Sequence, residues 1–187
     1  ETPLFMHACM EPHNCIADIR EQDATIIIGH QFPHTVAEEV ERFTEVDGLS
    51  VEVRNQRLGG GFGRRYERDF VREAILLSKQ IKRPIKITWM REDEMERDFF
   101  APANVVRIQA GLDAKNEITA WHHRQAQTSG GPRDACFPAN LIKNYRTETI
   151  DSNSKIPTGP WRGPGHIQWT FAVESMTDEL AHQAQID

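Results

Sequence analysis

No apolar run in this sequence approaches the roughly 18 residues that a membrane-spanning helix needs, and no signal peptide or other targeting segment is visible. Cysteine is scarce: Cys9, Cys15 and Cys136 are the only three. They form no C-x-x-C pair and are odd in number, so they read as small buried hydrophobes, with a single disulfide as the alternative. A basic excess is also missing. The net charge of −6 argues against general nucleic-acid binding, which needs a positive field to match phosphates. No H-E-x-x-H, G-x-S-x-G or EF-hand pattern occurs, which removes the commonest zinc, serine-nucleophile and calcium signatures. The first residue is Glu1 rather than Met, which suggests a processed protein or a piece of a longer one.

What is present suits an ordinary globular chain. Hydrophobic residues make up 39% and charged residues 27% of the 187 positions, enough for one sizeable core or two small lobes sharing one. "NCIADI" (14–19) and "ATIIIG" (24–29) read as strands from their β-branched content. Thr35 and Glu38 have capping-box spacing, and Val36, Val40 and Phe43 form a stripe at helical period, so a helix of about three turns starts at Thr35. Asp47-Gly48 ends it, and "LSVEV" (49–53) alternates as a strand. A second helix carries Phe70, Ala74, Leu77 and Ile81 on one face and stops at Pro84. "PIKITW" (84–89) alternates as another strand, and "REDEMERD" (91–98) is one or two helical turns.

The second half is strand-rich, then irregular. "ANVVRIQAGL" (103–112) and "EITAWHHRQAQ" (117–127) flank "DAKN", a hairpin signature. Residues 128–166 hold five of the ten prolines with no sustained period, as in a functional loop or one ordered by another segment. Trp169, Val173, Met176 and Leu180 then mark a closing helix. The succession predicts an α+β class: a two-layer lobe of mixed β-sheets backed by helices, spanning 1–187 as a single domain.

The most unusual stretch is "RLGGGFGRRYERDF" (57–70), with four glycines in five positions. Arg64 stands where a dinucleotide fingerprint needs its third glycine, and Arg64-Arg65-Tyr66 lacks the Lys-Ser/Thr of a P-loop. The loop is either a tight strand-to-helix turn or a cradle of bare backbone N–H groups for an anionic or oxo-bearing ligand, with a helix N-terminus aimed at the same place. In the second case an added Cβ would enter ligand space. Among other candidates, His122 and His123 are adjacent on a strand and point to opposite faces, so they do not share a metal. The carboxylates of "REDEMERD" read as a solvated face rather than a metal site. Glu11 and His13 in "MEPHNC" carry no meaning alone. "GPWRGPG" (159–165) is either an exposed turn or a rigid mount for Arg162.

Taken together and in order, "MEPHNC", "GHQFPHTV", "GGGFGRR" and "GPWRGPG…ES" resemble the large, molybdopterin-binding subunit of the xanthine dehydrogenase/aldehyde oxidase superfamily. The double arginine, "WMREDEMERDFF" and the final helix resemble most closely the isoquinoline 1-oxidoreductase β-subunit branch, which includes membrane-associated aldehyde dehydrogenases. The resemblance implies that Gln31 donates to an oxo ligand of the metal. It also implies that Gly59, Gly60, Gly61, Phe62 and Gly63 approach metal and pterin, and that Arg162 lies on a loop beside them. Tyr66 and Pro164 stand where purine-oxidising members carry purine contacts, so the resemblance implies an aldehyde or aromatic N-heterocycle, not xanthine, as the small-molecule substrate. Water would supply the oxygen, and electrons would leave through a small iron–sulfur subunit. The cofactor implied is molybdopterin, in its cytosine dinucleotide form. The family's general-base glutamate belongs to a later segment, so no catalytic residue is expected here. The remainder of the large subunit is the expected partner, and this piece alone is expected to fold without retaining cofactor. Relatives in the branch often carry a twin-arginine export signal, which implies the periplasm or cell envelope, with the cytoplasm as the alternative. A rival reading from another class is a non-catalytic ligand-binding or assembly module using the same glycine loop.

Overall fold

In the computed structural model the described residues are 1–46, 48–128 and 139–186. They form mixed sheets backed by helices, the α+β arrangement expected, divided into two compact units: Met6–Phe99, and Glu1–Phe5 with Phe100–Asp187. Each has its own cluster of buried apolar residues.

The unit of residues 6–99 is built on four strands, β1 (Asn14–Ile19), β2 (Asp23–Ile28), β3 (Ser50–Asn55) and β4 (Ile85–Thr88), in the order β3-β2-β1-β4. The pair β1–β2 is antiparallel and joined by a tight turn, while β2 and β3 are parallel. A parallel pair needs a crossover, and helix α1 (Pro33–Thr44) supplies it. Strict alternation in β1 and β2 sends Cys15, Ala17, Ile19, Ala24, Ile26 and Ile28 to one buried face. Helices α1 and α2 (Asp69–Ile81) add Val36, Val40, Phe70 and Ile75 to the same core. Each fully buried Ile or Phe contributes about 1.5–3 kcal/mol.

Two helical expectations need correction. Helix α1 starts at Pro33, not Thr35; Phe32 is its cap residue and no side chain caps it. Proline is favoured at the first helical position, where its fixed φ is helical and its missing N–H is not needed. Thr35 therefore lies inside the first turn, its hydroxyl donating to the Phe32 carbonyl at 2.8 Å. In α2 the buried face is Phe70, Val71, Ala74, Ile75 and Ser78, whereas Leu77 and Ile81 are exposed. Ser78 decides the helix rotation: its Oγ accepts from the Ile19 N–H at 3.0 Å and donates to the Arg83 carbonyl at 2.8 Å. A short helix α3 (Arg91–Glu96) completes the unit.

The other unit carries an antiparallel hairpin of β5 (Asn104–Leu112) and β6 (Ile118–Gln127), closed by the expected Asp113–Asn116 turn. Asp113 Oδ1 accepts from the N–H groups of Lys115 and Glu117, and Asn116 takes the left-handed conformation with φ +63°. A third strand, β7 (Asn144–Asp151), pairs parallel with β6 inside the stretch that shows no sequence periodicity. Its "NYRTETID" is polar on both faces, so the period-two signal is absent. Helix α4 (Ile167–Ala184) lays Val173 and Leu180 against Trp121 and Ile142. Trp169 is buried as expected. On β6 the two histidines do face opposite ways: His122 Nε2 meets Glu148 at 2.8 Å, while buried His123 meets Gln125 at 3.1 Å. Among the described residues no helix is long and apolar enough to cross a membrane.

Cys9 and Cys15 are buried and unpaired, as expected of small hydrophobes. Burial pushes their thiols up, to about 11 and about 12, which keeps them protonated and unreactive. Cys136 lies outside the described residues, as does Asp47.

Candidate functional site

The glycine loop follows β3 and folds back against Gln31, three residues past the end of β2. Gln31 Oε1 accepts a hydrogen bond from the Gly63 N–H at 2.9 Å, and the Gln31 N–H donates to the Arg65 carbonyl at 3.1 Å. An N–H donor requires the amide oxygen on that side, so the Gln31 Nε2 group is turned away from the loop, on an exposed side chain. Gly60 and Gly63 adopt φ of +103° and +109°, and Phe62 stands at +52° with its ring partly exposed. A Phe in the left-handed region costs of order 1 kcal/mol and persists only where its surroundings impose it.

Several N–H groups of this stretch are spent within the protein: those of Gly59, Gly63, Arg64 and Tyr66 have acceptors there. For the N–H groups of Gly60 and Gly61, no acceptor exists among the described residues. Two adjacent backbone donors without partners, one of them on a buried residue, are uncommon in folded proteins. They are the donor chemistry that an anionic or oxo-bearing ligand requires.

Protein groups also crowd the glycines closely. A Cβ on Gly59 would lie 2.6 Å from Glu11 Cβ, one on Gly61 would lie 2.5 Å from Gln31 Oε1, and one on Gly60 would lie 3.0 Å from the Phe62 ring. The absent side chains make room for these protein groups. The helix expected immediately after the loop is also displaced. A single 3-10 turn, Arg64–Tyr66, intervenes, and α2 begins only at Asp69.

The double arginine, which reads in sequence as the charged start of a helix, is fully buried. Arg65 is the hub of the loop. Its Nε donates to the Gly60 carbonyl (2.9 Å), Nη1 to Gly29 (3.0 Å) and Nη2 to Glu11 (2.9 Å) and Pro12 (3.3 Å). One guanidinium thus ties the loop to the end of β2 and to the "MEPHNC" segment. Arg64 makes a two-pronged pair with Asp69 at 2.9 and 2.7 Å, donates to the Arg97 carbonyl at 3.0 Å and lies against the rings of Trp89 and Phe99.

The "MEPHNC" and "REDEMERD" segments, unremarkable alone, turn out to hold this site together. The reading of "REDEMERD" as a solvated face is overturned for two carboxylates: Glu94 and Asp98 are buried. Asp98 accepts from the backbone N–H of His7 (2.5 Å) and its Nδ1 (2.9 Å); Glu94 accepts from the same two groups of His13 at 3.0 and 2.5 Å. Burial pushes both carboxyls up, but the histidine bonds outweigh it and hold them below the usual carboxylate range. Burial holds His13 below its ordinary value, so the ring stays neutral. Arg91 adds donations to the carbonyls of Cys9 (2.5 Å) and Met10 (2.7 Å). The segment so anchored reaches the glycine loop through the Cys9 thiol, which donates to the Gly61 carbonyl at 3.4 Å, and through Glu11. Helical periodicity gives no signal for this pair, since Glu94 lies on α3 and Asp98 falls two residues past its end.

Of the expected site residues, the structure brings Gln31, Gly59, Gly60, Gly61, Phe62, Gly63 and Tyr66 together. Tyr66 stands edge-on to Phe32, with ring centroids 4.8 Å apart, and both rings are partly exposed. Arg162 and Pro164 belong to the other unit. There Gly163 and Gly165 take φ of +71° and +78°, and the Arg162 guanidinium lies 5.9 Å from the ring of Trp161, which packs edge-on to Phe5. The described residues include no cluster of three or more His, Cys, Asp or Glu suited to a metal.

Comparison with known proteins gives concordant matches. The model of one family, described as the molybdopterin cofactor-binding domain, matches residues 1–187. A membrane-bound aldehyde dehydrogenase (pyrroloquinoline-quinone) of Gluconacetobacter polyoxogenes is 28% identical over 95% of the chain and 22% of its own length. The aldehyde oxidoreductase molybdenum-binding subunit PaoC of Escherichia coli (strain K12) is 27% identical over 100% of the chain and 26% of its own. The isoquinoline 1-oxidoreductase subunit beta of Brevundimonas diminuta is 24% identical over 100% and 26%. Among solved structures, quinoline 2-oxidoreductase from Pseudomonas putida 86 superposes with a TM-score of 0.79 at 22% identity, covering 100% of this chain and 27% of that one. The chain therefore spans about a quarter of the length of these relatives.

Proposed function

The chain belongs to the molybdopterin cofactor-binding domain family, and on that premise we propose that it supplies one face of the cofactor site in a larger molybdenum-dependent oxidoreductase. The observation that carries this reading is the pair of open N–H groups on Gly60 and Gly61 beside the outward-turned Gln31 amide. A pterin phosphate or metal-oxo group is an acceptor for both. When bound, the cofactor supplies the redox chemistry, and the protein supplies orientation and electrostatics. On this side, Gly60 and Gly61 donate from the backbone, Gln31 donates from Nε2, and Phe62 holds its ring partly outside the loop.

The substrate we propose is an aldehyde or an aromatic N-heterocycle of the isoquinoline type, with water as the oxygen source. Support comes from the names of two of the relatives, an aldehyde oxidoreductase and an isoquinoline 1-oxidoreductase subunit, and from Tyr66, whose partly exposed ring offers an apolar surface and no carboxylate. The cofactor form proposed is the cytosine dinucleotide, and the electron acceptor a small iron–sulfur subunit. The 187 residues alone are proposed to be inactive, because open donors on one face leave the ligand's hydrogen bonds in competition with water, at only about 1 kcal/mol each.

The test uses the full-length subunit that carries this region. Metal and pterin analysis is expected to find about one molybdenum per chain. Steady-state assays are expected to show turnover of an aldehyde or isoquinoline and not of xanthine. A subunit that carries no molybdenum while active, or one that turns over xanthine alone, overturns the reading.

A further inference from the structure

We propose that Glu11 is the positioning residue of the glycine loop, fixing which of its backbone donors are spent within the protein and which are left for the ligand. The inference rests on the cofactor reading above and concerns a residue to which that reading gives no part.

Glu11 grips a single glycine on two sides. Its carboxylate Oε2 accepts from the Gly59 N–H, and its own backbone N–H donates to the Gly59 carbonyl at 3.3 Å. This close approach is possible only because position 59 has no Cβ; one placed there would sit 2.6 Å from Glu11 Cβ. The other carboxylate oxygen is occupied by Asn14 Nδ2 at 2.9 Å, and Arg65 Nη2 lies 3.4 Å from Oε2 while also bonding the Glu11 carbonyl. Both oxygens are thereby aimed, and the charge is balanced by a buried guanidinium. Burial pushes the Glu11 carboxyl up, yet the bonds from Asn14 and Gly59 and the charge of Arg65 hold it below its ordinary value.

The consequence is a division of labour along three successive N–H groups. A fixed negative charge already takes the first, at Gly59, so an anionic ligand is not drawn there. The next two, at Gly60 and Gly61, have no acceptor among the described residues and are held in place by the Arg65 bond to the Gly60 carbonyl and the Cys9 bond to the Gly61 carbonyl. Without the Glu11 carboxylate, three adjacent donors would compete for the same ligand and the loop would lose its fixed starting point.

The experiment compares wild type, Glu11→Ala and Glu11→Gln in the full-length subunit. It measures molybdenum and pterin retained after gel filtration, the thermal midpoint of the cofactor-free form, and kcat and KM. Glu11→Ala is expected to retain at least tenfold less cofactor, while its cofactor-free form still melts cooperatively within a few degrees of wild type. Glu11→Gln keeps an oxygen for the Gly59 N–H and is expected to recover most of the loading. Wild-type loading in Glu11→Ala overturns the inference. So does an equal loss in Glu11→Gln, or a cofactor-free Glu11→Ala that no longer melts cooperatively, since Glu11 would then serve charge or folding alone. A wild-type subunit without molybdenum is a separate result, which overturns the cofactor reading itself.

Discussion

Glu94 takes two hydrogen bonds from one residue, the backbone N–H of His13 at 3.0 Å and its ring Nδ1 at 2.5 Å. Asp98, two residues past the end of α3, repeats the arrangement with His7. A carboxylate that holds both main chain and ring fixes the position of the segment and the rotation of the side chain together. The two hooks therefore set residues 7–13 as a rigid strip, and Glu11 and Cys9 carry that rigidity to the glycine loop.

Removal of one hook is expected to be costly. Glu94→Ala deletes two charge-assisted hydrogen bonds and leaves a buried imidazole N–H and a backbone N–H without an acceptor. At about 1.5–3 kcal/mol for each such bond, the expected loss is about 3 kcal/mol or more. Urea unfolding of the 187-residue chain measures it. A loss below about 0.5 kcal/mol, the level of an exposed substitution, would return Glu94 to the solvated face its sequence context suggests.

Stability is also expected to fall on mild acidification, because histidines are buried neutral. Burial pushes His30 down to about 4 and lowers His13 and His123 as well. In the unfolded chain histidine titrates near 6.5. Below that pH the unfolded state binds protons that the folded state rejects, so the stability these groups contribute is present above about pH 6.5 and declines as pH falls. For His30 the decline continues to about pH 4, with a limiting slope of about 1.4 kcal/mol per pH unit. Unfolding free energies measured from pH 7.5 to 5 should show this fall, and His30→Gln should make it shallower. An unchanged slope in that variant would rule out His30 as a contributor.

How much of this was legible in the sequence depended on whether a residue's partner lay nearby in the chain. Strands β1 and β2 and helix α4 announce themselves by period, because one face of each is buried in a continuous core. The strand β7 does not, since its residues alternate without an apolar face. The rotation of α2 was misread because Ser78, a polar residue, is buried by bonds to Ile19 and Arg83, while Leu77 faces outward. At the site, the glycine run and Gln31 were visible as motifs. Glu94 and Asp98 were read as a solvated face, and the burial of Arg65 was not foreseen, because their partners lie far away in sequence. His13 and Glu94 are 81 positions apart, and Arg65 and Glu11 are 54 apart. A charged residue gives no local sign that it will be buried; only the distant group that satisfies it does so.

The last prediction separates the glycines of the loop by the kind of space each keeps. Gly60 has φ +103°, a conformation that L side chains rarely adopt, so Gly60→Ala should strain the backbone and cost about 1–3 kcal/mol. Gly61 is not in the left-handed region, so no positive-φ penalty applies to it. A Cβ there meets Gln31 Oε1 at 2.5 Å and Cδ at 3.0 Å, atoms at the free end of an exposed side chain. That end can swing aside at small cost, but in doing so it gives up the Gly63 N–H that turns Nε2 away from the loop. Gly61→Ala is therefore expected to lower stability by less than about 1 kcal/mol while releasing the Gln31 amide from its fixed orientation. In the full-length subunit, turnover should fall by tenfold or more with the thermal midpoint nearly unchanged, and Gln31→Ala should reproduce the defect without adding to it when the two are combined. Equal stability losses in Gly60→Ala and Gly61→Ala, or additive defects of Gly61→Ala and Gln31→Ala, would show that Gly61 serves the turn and not the glutamine.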